Sequence, residues 1–457
     1  MTPGARVQAA IELIGEIEST TTPADDIVGG FFRRHRFAGS KDRAAISEHI
    51  YGVLRRRAAI DWYIARVAPG LPASPRNRVL SALALVEGWR AEVIDRACDG
   101  DRFRPVPLDR NERALVEALA GKMLEHPEMP LPVRCNYPAW LDPALTRRFG
   151  SAIGAEMAAM NGAAPLDLRV NQLKSNRADA RKALAAEGVE AVPTTFAPTG
   201  LRVYERIPLS TLDVFRSGRV EVQDEGSQLA ALLAQAEPGM RVVDFCAGAG
   251  GKTLALAAQM KNKGHLVACD ISAKRLERSG TRLRRAGISN VERRELTTER
   301  DKWVKRHEMS FDRVFVDAPC TGTGTWRRNP DAKWRLGPRD LAELVDLQAR
   351  ILDSAARLAK PGGRVIYATC SLLADENDQQ IEGFLATHAE FALMPIGEIW
   401  RDTFGRPCPE PGDMLHLTPC RHGTDGFFVA VLVRRAVAEA AAEPLAPATG
   451  DRVDAAI

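Results

Sequence analysis

The sequence of 457 residues contains eight cysteines, yet no two of them stand at the Cys-x-x-Cys spacing. Paired cysteines at that spacing are a usual signature of structural zinc, so we expect no metal site. Residues 1–20 lack the apolar segment of a signal peptide, and no apolar run in the chain is long enough to span a bilayer. We therefore expect a cytoplasmic protein that has no membrane partner and keeps its thiols reduced.

An excess of one charge sign is also lacking. Lys and Arg number 63 against 59 for Asp and Glu, which gives a formal net charge of +4. This balance excludes a wholly basic binder of the histone type but allows local basic surfaces. A hydrophobic content of 45% excludes a disordered chain. At about 150 residues per domain, the length predicts roughly three domains.

Three segments concentrate the positive charge, with net values of +6 for residues 30–57, +7 for residues 271–306 and +4 for residues 321–339. In the third segment Trp326 and Trp334 are interleaved with basic residues, a combination that holds phosphates and stacks bases. We expect Arg327 and Arg328 to lie at the entrance for a target nucleotide. The alternatives are solvated helix faces for the first two segments and structural tryptophans for the third.

Hydrophobic periodicity divides the chain into segments of different fold. Residues 7–124 show helical spacing, which predicts a helical bundle, and the proline-rich residues 127–143 are predicted to be a linker. Two alternating strands flank a helix that ends at Gly188, which predicts a small α+β module ending near Arg219. Apolar runs from residue 229 to 434, the last beginning at Gly426, predict a parallel α/β domain. The tail beyond residue 437 is predicted to be disordered.

A glycine-rich loop follows the first predicted strand of the α/β domain. Residues 246–252 (CAGAGGK) lie between that strand and a helix, so their backbone amides and the helix start are suited to a nucleotide-type ligand. Asp270 ends the next strand, where such folds place an acid on ribose hydroxyls. A P-loop would need glycine at Cys246. An NAD enzyme and a purely structural tight turn remain open from the loop alone.

Two cysteines follow neighbouring strands of the same domain. Asp317 and Cys320 end one strand, and Cys370 ends the next. Because ligands of open parallel sheets bind at the carboxyl ends of the strands, we expect these residues to share a cleft with the glycine loop. A redox pair or two buried small side chains would also fit, but the placement beside a cofactor loop favours nucleophilic catalysis.

These motifs together resemble the Sun-type RNA cytosine-5 methyltransferases. The resemblance is carried by residues 244–253 (DFCAGAGGKT), 317–324 (DAPCTGTG), 327–334 (RRNPDAKW), 367–371 (YATCS) and 426–430 (GFFVA). The helical segment, with Asp42, Arg43 and residues 51–57 (YGVLRRR), resembles the RNA-binding domain of the antitermination factor NusB. That domain precedes the catalytic part in the bacterial ribosomal-RNA branch of the family.

The resemblance implies a Rossmann-like domain that binds S-adenosyl-L-methionine. We expect a helical NusB-like domain over residues 1–140, an α+β connector over 141–220 and the catalytic domain over 221–436. Asp270, Asp317 and Glu295 are expected at the cofactor, Glu295 in place of the family's usual third-strand acid. The loop residues expected to contact it are Cys246, Ala247, Gly248, Ala249, Gly250, Gly251 and Lys252, with Ala249 where the family usually has proline.

The resemblance also implies roles in methylating carbon 5 of cytosine. Cys370 would add to carbon 6 of the base, and Cys320 would assist removal of the carbon 5 proton. Asp317, protonated in an apolar pocket, could donate at N3. The expected substrate is 16S ribosomal RNA, and the expected state is a monomer. Transfer RNA, a DNA methyltransferase that uses Cys320 as nucleophile, and a non-catalytic RNA-binding ribosome-assembly factor are the alternatives.

Overall fold

The structure is a computed structural model that describes residues 1–436, so the tail predicted to be disordered lies outside the described residues. The first part is a bundle of helices, as the periodicity predicts. They begin at capping residues such as Thr2 and Asp109, whose side chains accept backbone N–H groups of the first turn. The helices are α1 Pro3–Ser19, α2 Ala24–Arg34, α3 Ser40–Val67, α4 Pro75–Leu85, α5 Ala91–Ala97 and α6 Arg110–Leu119.

The predicted linker is wrong, because residues 127–143 are packed into the fold. Helices α7 Leu131–Arg134 and α8 Asp142–Phe149 lie here, followed by α9 Ile153–Asn161. Prolines occupy the first turns of α7 and α8, where the missing N–H has no helical partner to lose. Tyr137 and Leu145 are buried and pack in one cluster with Trp326 of the α/β domain. The prolines therefore start helices instead of marking an exposed connection.

The small α+β module forms around a four-stranded antiparallel sheet of order β2-β3-β1-β4, whose last strand lies just past the predicted end near Arg219. Gly188 adopts a positive φ of 79° just beyond its longer helix, the conformation that ends a helix most cheaply in glycine. In chain order the elements are β1 Leu166–Val170, α10 Arg177–Ala186, β2 Val192–Pro193, β3 Gly200–Val203, α11 Asp213–Arg216 and β4 Val220–Val222.

The remaining chain folds around one eight-stranded sheet of order β10-β12-β9-β8-β5-β6-β7, with β11 paired to β12. Its strands are β5 Arg241–Asp244, β6 His265–Asp270, β7 Val291–Glu295, β8 Phe311–Asp317, β9 Ala359–Thr369, β10 Phe391–Met394, β11 Leu415–Leu417 and β12 Phe427–Arg434. Its helices are α12 Glu225–Leu232, α13 Gly251–Gln259, α14 Ala273–Ala286, α15 Lys302–Arg306, α16 Ala332–Arg335, α17 Pro338–Ala356, α18 Asp378–Thr387, α19 Ile396–Phe404 and α20 Pro419–His422.

The sheet is mixed, which corrects the expectation of a wholly parallel one. Strands β5 to β9 pair in parallel, but β12, the run predicted from Gly426, pairs antiparallel with β9. A strand covered on both faces is apolar throughout whichever way it runs, so the pattern reports burial and not direction. The carboxyl ends of β5, β6, β8 and β9 still share one edge. Across residues 1–436, the helices are all too short or too polar to cross a membrane.

Candidate active site

The glycine loop turns sharply from β5 into α13. Gly248 and Gly250 have positive φ values of 53° and 82°. A Cβ on Gly250 would lie 2.9 Å from the Cβ of Ser279, so strain and space both exclude a side chain there. The N–H of Gly248 donates to Oδ2 of Asp270 at 2.8 Å, which joins the loop to the end of β6. The backbone of the loop is therefore fixed next to the first turn of α13.

A cavity of about 580 Å³ lies along this edge of the sheet and contains most of the predicted site residues. Asp270 is fixed on its second oxygen by the N–H of Ser272 at 2.8 Å. Apart from Gly250 and Glu295, every predicted site residue lines the cavity. Those residues are Cys246, Ala247, Gly248, Ala249, Gly251, Lys252, Asp270, Asp317, Cys320 and Cys370.

Glu295 lies outside this cavity, contrary to the expectation. Its side chain is exposed at the end of β7, where it pairs in register with Asp270. Leu296 and Glu299, which follow it, line the cavity instead. β7 is an edge strand whose residues 292–295 are all exposed, and the chain reaches the cavity only after the strand ends, at Leu296.

Asp244, at the end of β5, is a buried carboxyl that the sequence did not single out. Its Oδ2 accepts the hydroxyl of Thr253 at 2.6 Å, while its Oδ1 has no hydrogen-bond partner among the described residues. Burial raises the pKa of Asp244 to about 7, and the hydrogen bond from Thr253 opposes that rise. Burial and the nearby carboxylates also raise the pKa of the Cys246 thiol well above its usual value, so Cys246 is not suited to act as a nucleophile.

The surroundings of Asp317 are charged, which corrects the expected apolar pocket. The ammonium of Lys252 lies 2.5 Å from its Oδ2 atom and 5.0 Å from the ring centre of Phe427. Burial lowers the pKa of Lys252, but attraction to Asp317 and their hydrogen bond outweigh it and leave that pKa above its usual value. The Lys252 ammonium donates to Oδ2 of Asp317, so this oxygen serves as a hydrogen-bond acceptor.

The two predicted cysteines meet at the cavity. Their Sγ atoms are 3.4 Å apart, within hydrogen-bond distance for sulfur, and both thiols are free. The hydrogen bond with Cys370, followed by burial, raises the pKa of the Cys320 thiol well above its usual value. Convergence of the ends of β8 and β9 thus places two sulfur atoms where one substrate atom could reach either.

A buried network behind the cysteines was not visible in the sequence. Its centre is Glu376, whose carboxylate accepts hydrogen bonds from Thr321, Ser371 and Gln348. Glu376 ends a three-residue 3-10 helix, Ala374–Glu376, that follows β9. Only the fold brings it between the segments that carry Cys320 and Cys370. Spacing along the chain offered no signal for it.

Arg327 and Arg328 do not present free charges to a nucleotide. Arg327 is buried, with its Nε 2.5 Å from Asp425, and Arg328 makes the same contact at 2.5 Å. Both guanidinium groups also contact Asp224, at 3.3 and 2.9 Å. Trp326 is buried beside them in the cluster that includes α8 and α9. These residues therefore hold elements together, as the structural alternative predicts.

The rest of the third basic segment, residues 321–339, lies at the contact between the helical bundle and the α/β domain. The indole N–H of Trp334 donates to the carbonyl of Leu54 at 2.7 Å, and Arg55 donates to the carbonyl of Arg327 at 3.3 Å. Lys333 is buried there, and desolvation together with nearby arginines lowers its pKa to about 7. Of the basic residues in 30–57, those that remain exposed are Arg33, Arg34, Arg36, Lys41 and Arg43.

Half of the basic residues of the second segment lie on α14 beside the cavity. Arg275 and Arg282 line it, and Arg282 donates to the carbonyl of Ala249 at 2.7 Å. Arg278 and Arg284 are exposed on the same helix. The helix thus adds positive charge to the cavity rim. Within residues 1–436, no group of His, Cys, Asp and Glu side chains is arranged to hold a metal ion.

This sheet, its glycine loop and the cavity define a Rossmann-like methyltransferase, whose cofactor is S-adenosyl-L-methionine. Residues 230–433 match the family model described as 16S rRNA methyltransferase RsmB/F, and residues 137–210 match its ferredoxin-like domain. The chain is 31% identical over 411 residues to the ribosomal RNA small subunit methyltransferase B of Klebsiella pneumoniae, with 86% of this chain and 91% of that protein covered. The chain belongs to the RsmB/F methyltransferase family.

Other relatives agree. The probable ribosomal RNA small subunit methyltransferase B of Synechocystis is 29% identical over 454 residues, which cover 93% of this chain and 98% of that one. The crystal structure of PH0851 has a TM-score of 0.77 at 29% identity and covers 95% of this chain and 99% of that one. A methyltransferase homologue from Pyrococcus horikoshii has a TM-score of 0.57 at 28% identity, over 66% and 97%. The predicted family and fold class are thereby confirmed.

Proposed function

We propose that this protein methylates carbon 5 of a cytosine in RNA, with 16S ribosomal RNA as the substrate, through a covalent cysteine adduct at carbon 6. The observation that carries the proposal is the pair of thiols 3.4 Å apart at the edge of the cofactor cavity. Carbon 5 of cytosine is a poor nucleophile until a group adds to carbon 6, so the reaction needs a cysteine beside the methyl donor.

The residues present fit S-adenosyl-L-methionine. The loop excludes side chains at Gly250, and α13 begins at the cavity wall, so backbone N–H groups are available to a carboxylate of the cofactor. Asp270 is suited to the ribose hydroxyls, and the apolar side chains of Ile271 and Leu296 line the cavity near it. When bound, this cofactor supplies an electrophilic methyl group on a sulfonium. Residues 246–252 would hold its amino-acid end.

Cys370 is the nucleophile in this proposal. Its thiolate forms the bond to carbon 6, and the electron pair of the C5–C6 double bond moves toward N3, where a proton is taken up. Lys252 lines the same cavity as Cys370 and so is placed to donate at N3 or O2, while Asp317 accepts from the exocyclic amino group. This division replaces the expected proton donation by Asp317.

Cys320 completes the reaction. Carbon 5 would take the methyl group as the carbon–sulfur bond of the sulfonium breaks. The remaining proton on carbon 5 then passes to a base, the C5–C6 double bond re-forms, the Cys370 thiolate leaves and the proton at N3 returns to Lys252. Cys320 lies next to the attacking sulfur, so once its own proton has passed to water it is placed to take the carbon 5 proton. The base must leave its stack to reach this cavity, which favours an unpaired or flipped nucleotide.

The basic surfaces support RNA as the partner. The relatives from Klebsiella and Synechocystis carry names of ribosomal RNA methyltransferases. Exposed arginines on α14 at the cavity rim and on α2 of the bundle offer positions for phosphates. We propose that the bundle within residues 1–140 and the module within residues 141–220 help the catalytic part, residues 221–436, to hold that RNA.

The decisive experiment compares two variants with the wild-type protein, S-adenosyl-L-methionine and small-subunit RNA. Cys320→Ala is expected to accumulate a covalent protein–RNA adduct because release is blocked. Cys370→Ala is expected to form no adduct and no 5-methylcytosine. The exposed Cys420 provides a matched control, since Cys420→Ala should methylate normally.

Adducts that require Cys320 and survive the loss of Cys370 would contradict the assignment and favour the DNA-type order of roles. Transfer RNA methylated in preference to ribosomal RNA would overturn the substrate. No cofactor binding in calorimetry would leave a non-catalytic RNA-binding factor. Bisulfite sequencing of RNA from a strain that lacks the protein would then identify the modified cytosine.

A further inference from the structure

The buried carboxylate of Glu376 joins the loop that carries Cys320 to the strand end that carries Cys370. Its Oε1 atom accepts the backbone N–H of Thr321 at 2.7 Å. Its Oε2 atom accepts the hydroxyl groups of Thr321 and Ser371. Thr321 directly follows one cysteine and Ser371 directly follows the other. One side chain therefore holds the residue next to each reactive sulfur.

Asn377 secures the strand end from both sides. Its Nδ2 donates to the carbonyl of Ser371 at 2.9 Å, and its Oδ1 accepts the hydroxyl of Thr369 at 2.5 Å. The carbonyl of Cys370 itself accepts the N–H of Gly324 at 2.9 Å. The strand end therefore cannot shift relative to the neighbouring loop without breaking several buried hydrogen bonds, each of which is costly to leave unmade.

The charges around the two cysteines differ. Glu376 is fully buried, and its carboxylate oxygens accept from an amide N–H, two hydroxyls and the side-chain amide of Gln348. Four donors thus surround the two oxygens, so both oxygens are used as acceptors. Glu376 lies behind the two cysteines, whereas the ammonium of Lys252 lines the cavity together with both of them. The site thus places a carboxyl group on one side of the thiol pair and an ammonium on the other.

We propose that Glu376 is a positioning residue that fixes the separation of the two sulfur atoms and keeps the negative charge of the pair on Cys370. In this arrangement the Cys320 thiol donates its hydrogen to the Cys370 thiolate. The inference rests on the proposed function for the use of that thiolate. It adds the reason why two cysteines of one pair differ in reactivity before any RNA binds.

Alkylation of the full-length protein with iodoacetamide tests the charge assignment without RNA or cofactor. Mass spectrometry of the two cysteine peptides across a pH series should find Cys370 alkylated first. Glu376→Gln removes the charge but keeps the shape, and it should lower the preference for Cys370 by about tenfold, the effect of about one pH unit on the fraction of thiolate. Glu382→Gln is the control, because Glu382 is exposed nearby on α18.

The Cys320→Ala background separates charge from general damage. In that background Glu376→Gln should leave the pH dependence of Cys370 alkylation nearly unchanged, because Glu376 acts through the Cys320 thiol, which is absent. An equal shift in both backgrounds, or no shift in either, would overturn the proposal. If the Gln variant does not fold, Glu376→Asp carries the test. It should keep the preference for Cys370 and lower the adduct yield, and a lost preference would count against the charge assignment.

These results are separable from those for the proposed function. Selective alkylation that depends on Glu376 in a protein that methylates no cytosine would refute the function and support the positioning role. Methylation of cytosine by a protein whose alkylation preference does not change with Glu376→Gln would support the function and refute the positioning role.

Discussion

Replacement of Arg327 distinguishes a structural arginine from an RNA contact. Its side chain is only 6% exposed and pairs with Asp425, which is 4% exposed, at 2.5 Å. Removing one partner of a buried ion pair costs roughly 3–5 kcal/mol when the other charge is left uncompensated, and the lower end of that range applies here because Arg328 still pairs with Asp425 at 2.5 Å. At about 2–4 °C per kcal/mol for a domain of this size, Arg327→Gln should lower the melting temperature by roughly 6–12 °C.

The loss should also depend on pH. Burial and the neighbouring Asp224 raise the pKa of Asp425 to about 6, against the opposing effect of Arg328 and Arg327. A carboxyl whose folded pKa lies above its unfolded value contributes stability at low pH that is lost as pH rises through the folded pKa. Without Arg327 this pKa rises further, so the stability gap between variant and wild type should be small near pH 5 and larger near pH 8.

Thermal unfolding and RNA-binding titrations at several salt concentrations provide the assay. Arg339→Gln is the matched control, because that side chain is 91% exposed and should change neither the melting temperature nor the fold. The refuting result is a variant that melts like the wild type but loses about one unit from the slope of log affinity against log salt, which is the effect expected of a lost phosphate contact.

Three further predictions concern residues near the two cysteines and the glycine loop. Gly324→Ala should abolish adduct formation, because a Cβ there would lie 2.2 Å from the carbonyl oxygen of Gly426; normal adduct yield would refute this contact. Asp244→Asn should gain stability relative to the wild type as pH rises from about 4 through 7. Burial raises the pKa of Asp244 to about 7, so the wild type loses the stability contributed by the protonated carboxyl as it ionises, and the variant does not. An equal free-energy difference between the two proteins at pH 5 and pH 8 in denaturant unfolding would contradict this. Asp270→Ala should weaken cofactor binding in calorimetry by about tenfold or more, because it removes both the ribose acceptor and the anchor of Gly248; unchanged affinity would exclude that role.

The sequence predicted the catalytic fold because its signals are local. The glycine loop, the apolar strands and the two cysteines at strand ends each depend on a few adjacent residues, and a parallel sheet brings strand ends to one edge. The helical bundle and the α+β module were likewise readable from periodicity. Local patterns failed where one pattern fits two structures, as with the prolines of residues 127–143 and the antiparallel β12.

Partners across the fold were decided only by tertiary structure. Sequence alone determined which residue types are available at the site, including Cys320, Cys370 and the glycines of residues 246–252. It did not determine that Lys252 meets Asp317 at 2.5 Å, or that Glu376 lies between two segments 50 residues apart. Hydrogen bonds and ion pairs act over a few ångströms, so which groups share a charge or a proton depends on packing that no spacing along the chain encodes.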